Sequence, residues 1–463
     1  MATGTRHAAT IPTSSHGIWK YPIARLVIPA VLAAMVMSQF LATYEARGID
    51  YYQQWLVIHA RQIPGLTNIY DPNDRKAIGE NARAMARQTG ASRHLTEVVK
   101  VSDQLYENHL AATSTPAMPM WLGSLFSGNF EQDFKRFSLA SLIIYITGLL
   151  LLGQALGFTW TAGLLIVALF TVLFEPFRFD VIDGNVNRLQ AGMIGIYFWM
   201  TIRYHNRLLQ ILPGILCGLV VMFKPNLVMV PVLVTLGWTL QRRWMTLGLQ
   251  TGGCLIGVLV SIAIPWFYWG QLKTWPAWFA RIGQVQQEPF AIETGNISIA
   301  RLIFEYVGLN LSAPLTIALL IIATVVMATA VMKQRRITTA NSSTATLEAA
   351  IVAYAVGLGG VIPILTPQVA WPHYLLLTVP MLLVVIGNHP NPNSNQGQAP
   401  RWVPLIGILG IFVMCTGRRL LLLVSLNDYE YFSILIAFML AGLILAASRQ
   451  LLHKFSSPVA SKG

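Results

Sequence analysis

Charge is scarce in this sequence. Only 11% of its 463 residues are Asp, Glu, Lys or Arg, where a soluble domain carries roughly a quarter. Acidic residues are the scarcer sign, 19 against 32 Lys and Arg. Cysteine is nearly absent. Cys217, Cys254 and Cys415 each sit in an apolar run and no pair has metal-ligand spacing, so they read as buried, inert thiols. The sequence has no His/Cys metal cluster, no Gly-rich phosphate loop and no Asp-x-Asp signature of a nucleotide-sugar site. These absences weigh against a cytoplasmic nucleotide-sugar enzyme and leave no cofactor or metal to expect. No convincing internal repeat is present, which weighs against a transporter built from inverted halves.

What is there is hydrophobic, 54% of residues, gathered in long blocks such as 142–152, 215–223 and 317–332. A membrane span needs about 20 mostly apolar residues, because only a helix satisfies its own backbone in lipid. Twelve segments qualify or nearly so: 22–43, 137–157, 159–175, 188–203, 208–223, 226–240, 244–269, 311–332, 348–366, 373–388, 402–425 and 431–448. Two of them, 208–223 and 226–240, are short and flank Pro225, so they read as tilted or partly re-entrant. The expectation is an all-α, polytopic integral membrane protein of about twelve helices, with further helices in the extracytoplasmic loops. Residues 1–20 read as a disordered cytoplasmic terminus and 22–43 as a retained signal anchor. Residues 21–388 form the main module, 389–401 a cytoplasmic linker, 402–448 the last spans and 449–463 a cytoplasmic tail.

Lys and Arg are enriched in short cytoplasmic loops. Arg203, Arg207, Arg242, Arg243, Lys333, Arg335 and Arg336 fall in alternate loops, on the side of Lys20, Arg449 and Lys454. Of the acids, this topology leaves only Glu348 inside, so the whole excess of +13 lies on the cytoplasmic side. The charge therefore follows from topology and implies no nucleic-acid partner. The expected location is a cell membrane of bacterial inner-membrane type, with function on the outer face.

The outer face carries the longest loop, 44–136. Residues 71–88 predict a helix capped by Asp71 or Asn73, and Ser92 opens another. The stretch STPAMPMWLGSLF, 114–126, reads as an interfacial segment. Asp50 lies just beyond the first span, and on a helix it would share a face with Gln53, Gln54, Val57 and Arg61. Partial desolvation would suit it to be a general base; as a residue type, Asp equally suits a helix N-cap. Lys224 sits at an outer span end, where it either binds an anion or snorkels. Arg301 either binds an anion or pairs with Glu305, and His373 either binds or caps a helix. Trp275, Trp278 and Trp371 fit an aromatic belt or a sugar-stacking surface. Arg418 and Arg419 interrupt an apolar run, a placement that suggests function unless the span breaks there.

Several of these segments together resemble glycosyltransferase family 87. The Asp50-Tyr51-Tyr52 opening is followed by Gly65, Tyr70 and Asp71, similar to a Gly-x-x-x-Tyr-Asp element with one extra residue. GNVNRLQ at 184–190 resembles a Gly-Gln-x-Asn segment, with Asn185 where Gln is usual. FKPN at 223–226 resembles a Lys-Pro element, followed by a short span that ends in Arg242-Arg243-Trp244. GNISIARL at 295–302 and PHYLLLTVP at 372–380 resemble a Gly-Asn-x-Ser segment and a late His-Tyr element. The resemblance covers about residues 20–390. It implies a C-type glycosyltransferase fold and an inverting transfer of a sugar, mannose first among candidates, from a polyprenyl-phosphate donor in the membrane lipid to a glycolipid or glycan acceptor. It also implies Asp50 as base, Lys224, Arg301 and His373 on the donor phosphate, and Gln53, Asn187, Asn296 and Tyr374 as substrate-binding residues. The competing reading is a lipid or sugar transporter or flippase, which would place charges within spans along a path.

Overall fold

A computed structural model describes residues 46–66, 68–105, 114–204, 206, 208–269, 274–287, 290–337, 344–387, 400, 402–423 and 429–454, with isolated residues between 27 and 41. The expected terminus 1–20, most of the first span, nearly all of the linker 389–401 and the end of the tail lie outside the described residues.

The described residues form helices and connecting loops. An outer layer comes first: α1 (Ile49–Ala60), α2 (Pro72–Arg87), α3 (Arg93–Leu105) and the short α4 (Ala117–Leu122). Asp71 caps α2, accepting from the backbone N–H of Asn73 and Asp74 with Pro72 at the first turn. Ser92 Oγ accepts from the Leu95 N–H at the head of α3. The bundle follows: α5 (Phe130–Ala155), α6 (Trp160–Ala168), α7 (Glu175–Asp183), α8 (Asn187–Arg203), α9 (Ile211–Phe223), α10 (Met229–Gln241) and α11 (Trp244–Trp269). After α12 (Thr274–Gln287) and α13 (Ile299–Val307) come α14 (Ser312–Ile337) and α15 (Thr344–Leu365). A 3-10 turn at Pro372–Thr378 leads into α16 (Val379–Gly387), and α17 (Trp402–Leu423) and α18 (Tyr429–Lys454) complete the chain.

Among the described residues, six helices are long and apolar enough to cross a membrane: α5, α11, α14, α15, α17 and α18. A π-turn at Leu169–Leu173 separates α6 from α7, which carries Pro176 in its first turn, and the pair bends by 59°. The expected spans at 208–223, 226–240 and 373–388 correspond to shorter apolar helices, Leu208–Phe223, Pro225–Gln241 and Pro372–Gly387. The segment 188–203 is helix α8.

Small residues set the closest packing. On α9, Gly214 and Gly218 face α11, where Gly253 and Gly257 answer them. A Cβ on Gly218 would lie 2.2 Å from the Cys254 carbonyl, and one on Gly257 2.4 Å from that of Ile215. This is a reciprocal small-xxx-small contact, which lets two helices approach through backbone. Gly148 of α5 meets Gly192 and Gly195 of α8 in the same way. In the membrane, where lipid is as apolar as Leu, such contacts rather than hydrophobic burial hold helices together.

The outer layer is packed on the bundle. Tyr51 of α1 lies against Phe130, Phe134 and Phe137 of α5. Trp55 Nε1 donates to the fully buried carboxylate of Asp133 at 3.1 Å. That carboxylate also accepts from the backbone N–H of Ser127 and Gly128 and from Ser127 Oγ, so its buried charge is satisfied. The expected interfacial segment is corrected. Ala117, Met118, Met120 and Leu122 of α4 are buried, and Thr115 Oγ1 donates to the carbonyls of Met222 and Phe223 at the end of α9. Trp275 and Trp278 are likewise core: both are buried in the apolar cluster of the outer layer, edge to face.

The two ends of the bundle differ. At one end Arg243 pairs with Glu348 at 3.3 Å, and Arg335 donates to the Leu240 carbonyl. The α10 and α15 helices run from that end to the other, where Met229 begins one and Thr366 follows the other. The outer layer and the polar cluster described next lie at this second end.

Candidate active site

Two glycines with left-handed backbones bring the cluster together. Gly48 (φ 66°) precedes α1 and Gly184 (φ 68°) terminates α7. Gly48 N–H donates to the Ile182 carbonyl at 2.9 Å. A Cβ on Gly184 would stand 3.0 Å from Gly48 Cα and from Tyr51 Cβ. No L side chain fits such a backbone without strain. The start of α1 is thus pressed against the end of α7, and Asp50 meets Asn185.

Asp50 is the second residue of α1 and caps nothing; its N-cap position is Gly48, without a side-chain bond. The capping alternative is therefore not what the fold uses. Instead Asn185 Nδ2 donates to Asp50 Oδ2 at 2.5 Å. The same amide nitrogen lies 3.0 Å from His373 Nε2. Lys224 Nζ donates to Asn185 Oδ1 at 3.2 Å and to Asn187 Oδ1 at 3.1 Å, and it sits 4.4 Å above the ring of Tyr374. His373 Nδ1 faces Asp183 Oδ2 at 3.5 Å. Burial pushes the Asp50 carboxyl above the usual aspartate range. His373 would oppose this if charged, Asp183 adds to it, and the Asn185 hydrogen bond and Lys224 oppose it.

The cluster rests on a buried frame. Asp180, fully buried on α7, accepts from the backbone N–H of Asn187 and Arg188 and lies 3.7 Å from Arg188 Nε. This caps α8 from across the loop. Gln190 Nε2, one turn along α8, donates to the Lys224 carbonyl and to Asn226 Oδ1. Asn187 Nδ2, Gln190 Oε1 and Asn226 Nδ2 are buried without a hydrogen-bond partner. These carboxamide atoms beside Lys224 suit a polar, hydroxylated ligand.

Of the residues singled out from sequence, Asp50, Lys224, His373, Asn187 and Tyr374 come together here. Gln53 is buried on the next turn of α1. Asn296 is a structural latch: its amide donates to the carbonyls of Phe290 and Gln368 and accepts from the Ala370 N–H, tying 290–298 to the strap before Pro372. Ser298 Oγ donates to the Pro367 carbonyl in the same latch. Arg301 makes its contacts with Glu305, at 2.7 Å, and with the Phe304 ring, which is the helical pairing its spacing allowed. Arg418 lies over Phe179 and Tyr429, and Arg419 lies 3.9 Å from Glu175, so both meet α7 or its neighbours rather than lipid alone. Sequence reasoning missed Asn185 as a site residue. Its signal was present as the one departure in GNVNRLQ. A separate cavity of about 400 Å³ is lined by Arg47, Arg93, His94, Glu97, Glu131 and Lys135 among others. Among the described residues, no group of three or more His, Cys, Asp or Glu is arranged to hold a metal ion.

A helical membrane bundle with a carboxylate and an ammonium held over one end defines a membrane-embedded enzyme, and the family comparison gives its class. The model of glycosyltransferase family 87 matches residues 115–367, more than half of the chain. The chain belongs to glycosyltransferase family 87 and is a membrane glycosyltransferase. The match includes Asn185, Asn187, Lys224, Asn296 and Arg301; Asp50, His373 and Tyr374 lie outside it. Among solved structures, the crystal structure of ArnT from Cupriavidus metallidurans bound to undecaprenyl phosphate is similar at 14% identity and a TM-score of 0.34, covering 74% of this chain and 67% of that one. At that distance the likeness carries no argument about residues. No curated protein matches the chain.

Proposed function

We propose that this glycosyltransferase moves a sugar, mannose first among candidates, from a polyprenyl-phosphate donor to a glycolipid or glycan acceptor on the outer face, with inversion. The observation that carries the reading is the placement of Asp50 and Lys224 on opposite ends of one carboxamide, Asn185. In this reading Asp50 takes the proton of an acceptor hydroxyl as its oxygen attacks the anomeric carbon. The bond from that carbon to the phosphate oxygen breaks, and the lipid phosphate leaves with the electron pair. Lys224 holds the negative charge that builds there. Tyr374 and Asn187 fix the ammonium by cation–π contact and hydrogen bond. Arg301, already paired to Glu305, has no part in this step.

The test is transfer by the purified protein in lipid nanodiscs, with radiolabelled polyprenyl-phosphate mannose and a glycolipid extract as acceptor. Label should enter the acceptor from the lipid donor and not from a nucleotide sugar supplied in parallel. Label carried across a bilayer without transfer would support the transporter reading instead.

A further inference from the structure

The Asn185 carboxamide touches the carboxylate, the imidazole and the ammonium of the cluster, and its orientation can be read from its partners. One end accepts from the Val186 N–H at 2.7 Å and from Lys224 Nζ at 3.2 Å. Two donors converge there, so that end is the oxygen. The other end faces Asp50 Oδ2 at 2.5 Å, a carboxylate oxygen, and must be the NH2 group. The same NH2 lies 3.0 Å from His373 Nε2. An amide nitrogen has protons to give and no lone pair to offer, so Nε2 must present its own lone pair. The ring proton then resides on Nδ1, which points at Asp183 Oδ2, 3.5 Å away.

We propose that Asn185 is the positioning residue of this site: it holds His373 neutral, protonated on Nδ1 alone, and clamps Asp50 by Oδ2. Among the described residues no donor engages Asp50 Oδ1, so that oxygen is left to receive the acceptor proton. This inference deepens the transfer reading above and rests on it for the role of Asp50. It also changes the part of His373, which the family resemblance put on the donor phosphate. A neutral ring whose one proton faces Asp183 brings no positive charge to a phosphate, and Lys224 carries that charge instead. The titratable groups facing Asp50 are Asp183 from the end of α7, His373 from the 3-10 turn and Lys224 from the end of α9; Asp180 of α7 also faces the imidazole. The amide opposes a second proton on the ring, because a proton on Nε2 would meet the NH2 protons head on. A flip of the amide would set its oxygen against the Asp50 carboxylate and its nitrogen against Val186 N–H and Lys224.

The test begins with full-length protein labelled with 15N-histidine in nanodiscs, without substrate. The His373 ring signals are assigned by their loss in His373→Gln. At neutral pH the wild type should show Nε2 unprotonated and Nδ1 protonated. In Asn185→Leu, close in volume, the block is gone and the ring should gain its second proton at a pH where the wild type stays neutral. With sugar transfer as the second readout, the maximal rate should fall in Asn185→Leu, because Asp50 is no longer held by Oδ2. A wild-type His373 carrying a proton on Nε2 at neutral pH overturns the proposal, and that measurement stands even if Asn185→Leu does not fold. A folded Asn185→Leu with an unchanged ring state overturns it too, and an unchanged maximal rate in that folded variant overturns the clamp on Asp50. Wild-type protein that transfers no sugar would defeat the transfer reading instead, while the ring state is still read.

Discussion

Asp50 is held at a cost to the fold that its chemistry explains. Its carboxyl titrates above the ordinary range because burial outweighs the help from the Asn185 hydrogen bond and Lys224. A group whose folded pKa is raised stabilises the fold fully at low pH, and that contribution is lost as pH rises through the folded value. Once ionised, Asp50 is therefore a strained group. Asp50→Asn should melt at the same temperature as the wild type or higher, yet lose transfer by about 10²–10⁴-fold, the usual worth of a general base. Donor binding should survive, since Lys224 is untouched. Near-normal transfer by a folded Asp50→Asn would end the assignment and turn attention to Asp183. The same electrostatics sets the pH dependence. A base must be ionised, so transfer should fall on acidification at a pH above the range of an ordinary aspartate. Lys224→Met removes a charge that favours ionised Asp50, so its acid limb should lie higher still, along with a lower maximal rate. A limb that stays in place, or moves down, contradicts the proximity of Lys224 to the base. Arg301→Gln, by contrast, should change transfer little, because Arg301 is engaged with Glu305.

At the scale of elements, the site depends on helices that approach through glycine. Gly218 admits the Cys254 carbonyl at a place where a Cβ would lie 2.2 Å from it. Gly218→Val must push α9 from α11, and the displacement reaches Lys224, which follows directly on α9. Overpacking of this kind costs about 1–3 kcal/mol. A lower melting temperature and a loss of transfer larger than the loss of folded protein are expected; unchanged melting would show that the pair can part without strain. Gly248, with nothing near its missing Cβ, is the control, and Gly248→Ala should be neutral. Much of this layer was legible in the sequence. Apolar blocks located the helices of the bundle, and Asp71-Pro72 and Ser92 located the heads of α2 and α3. Other parts could not be read, for physical reasons. Apolar content does not distinguish a segment lying on lipid from one buried in protein, so α4 and the Trp275/Trp278 pair were assigned to the interface and are core. The grouping of Asp50, Asn185, Lys224 and His373 depends on the contact between Gly48 and Gly184, and no local pattern encodes a contact between residues so far apart. For Arg301 the helical spacing allowed the pair with Glu305 that the fold forms.

For the whole molecule, the separation of charge along the bundle turns the sidedness of the reaction into a test. Arg243, Glu348 and Arg335 meet at one end, and the outer layer with Asp50 sits at the other. Short cytoplasmic loops favour Lys and Arg, so the end with Arg243 and Arg335 should face the cytoplasm and the cluster should face outward. Single cysteines can report this in a background where Cys217, Cys254 and Cys415 are replaced by alanine. Glu80→Cys, on the exposed side of α2, should react with a membrane-impermeant maleimide in intact cells. Arg335→Cys, exposed near the end of α14, should react only after permeabilisation. The paired outcome matters more than either alone, because the helices between the two positions fix them at opposite ends of one bundle. Labelling of Arg335→Cys in intact cells, with Glu80→Cys protected, would invert the molecule. It would put Asp50 and Lys224 where nucleotide sugars are available and remove the topological ground for a donor that must carry its sugar on a lipid.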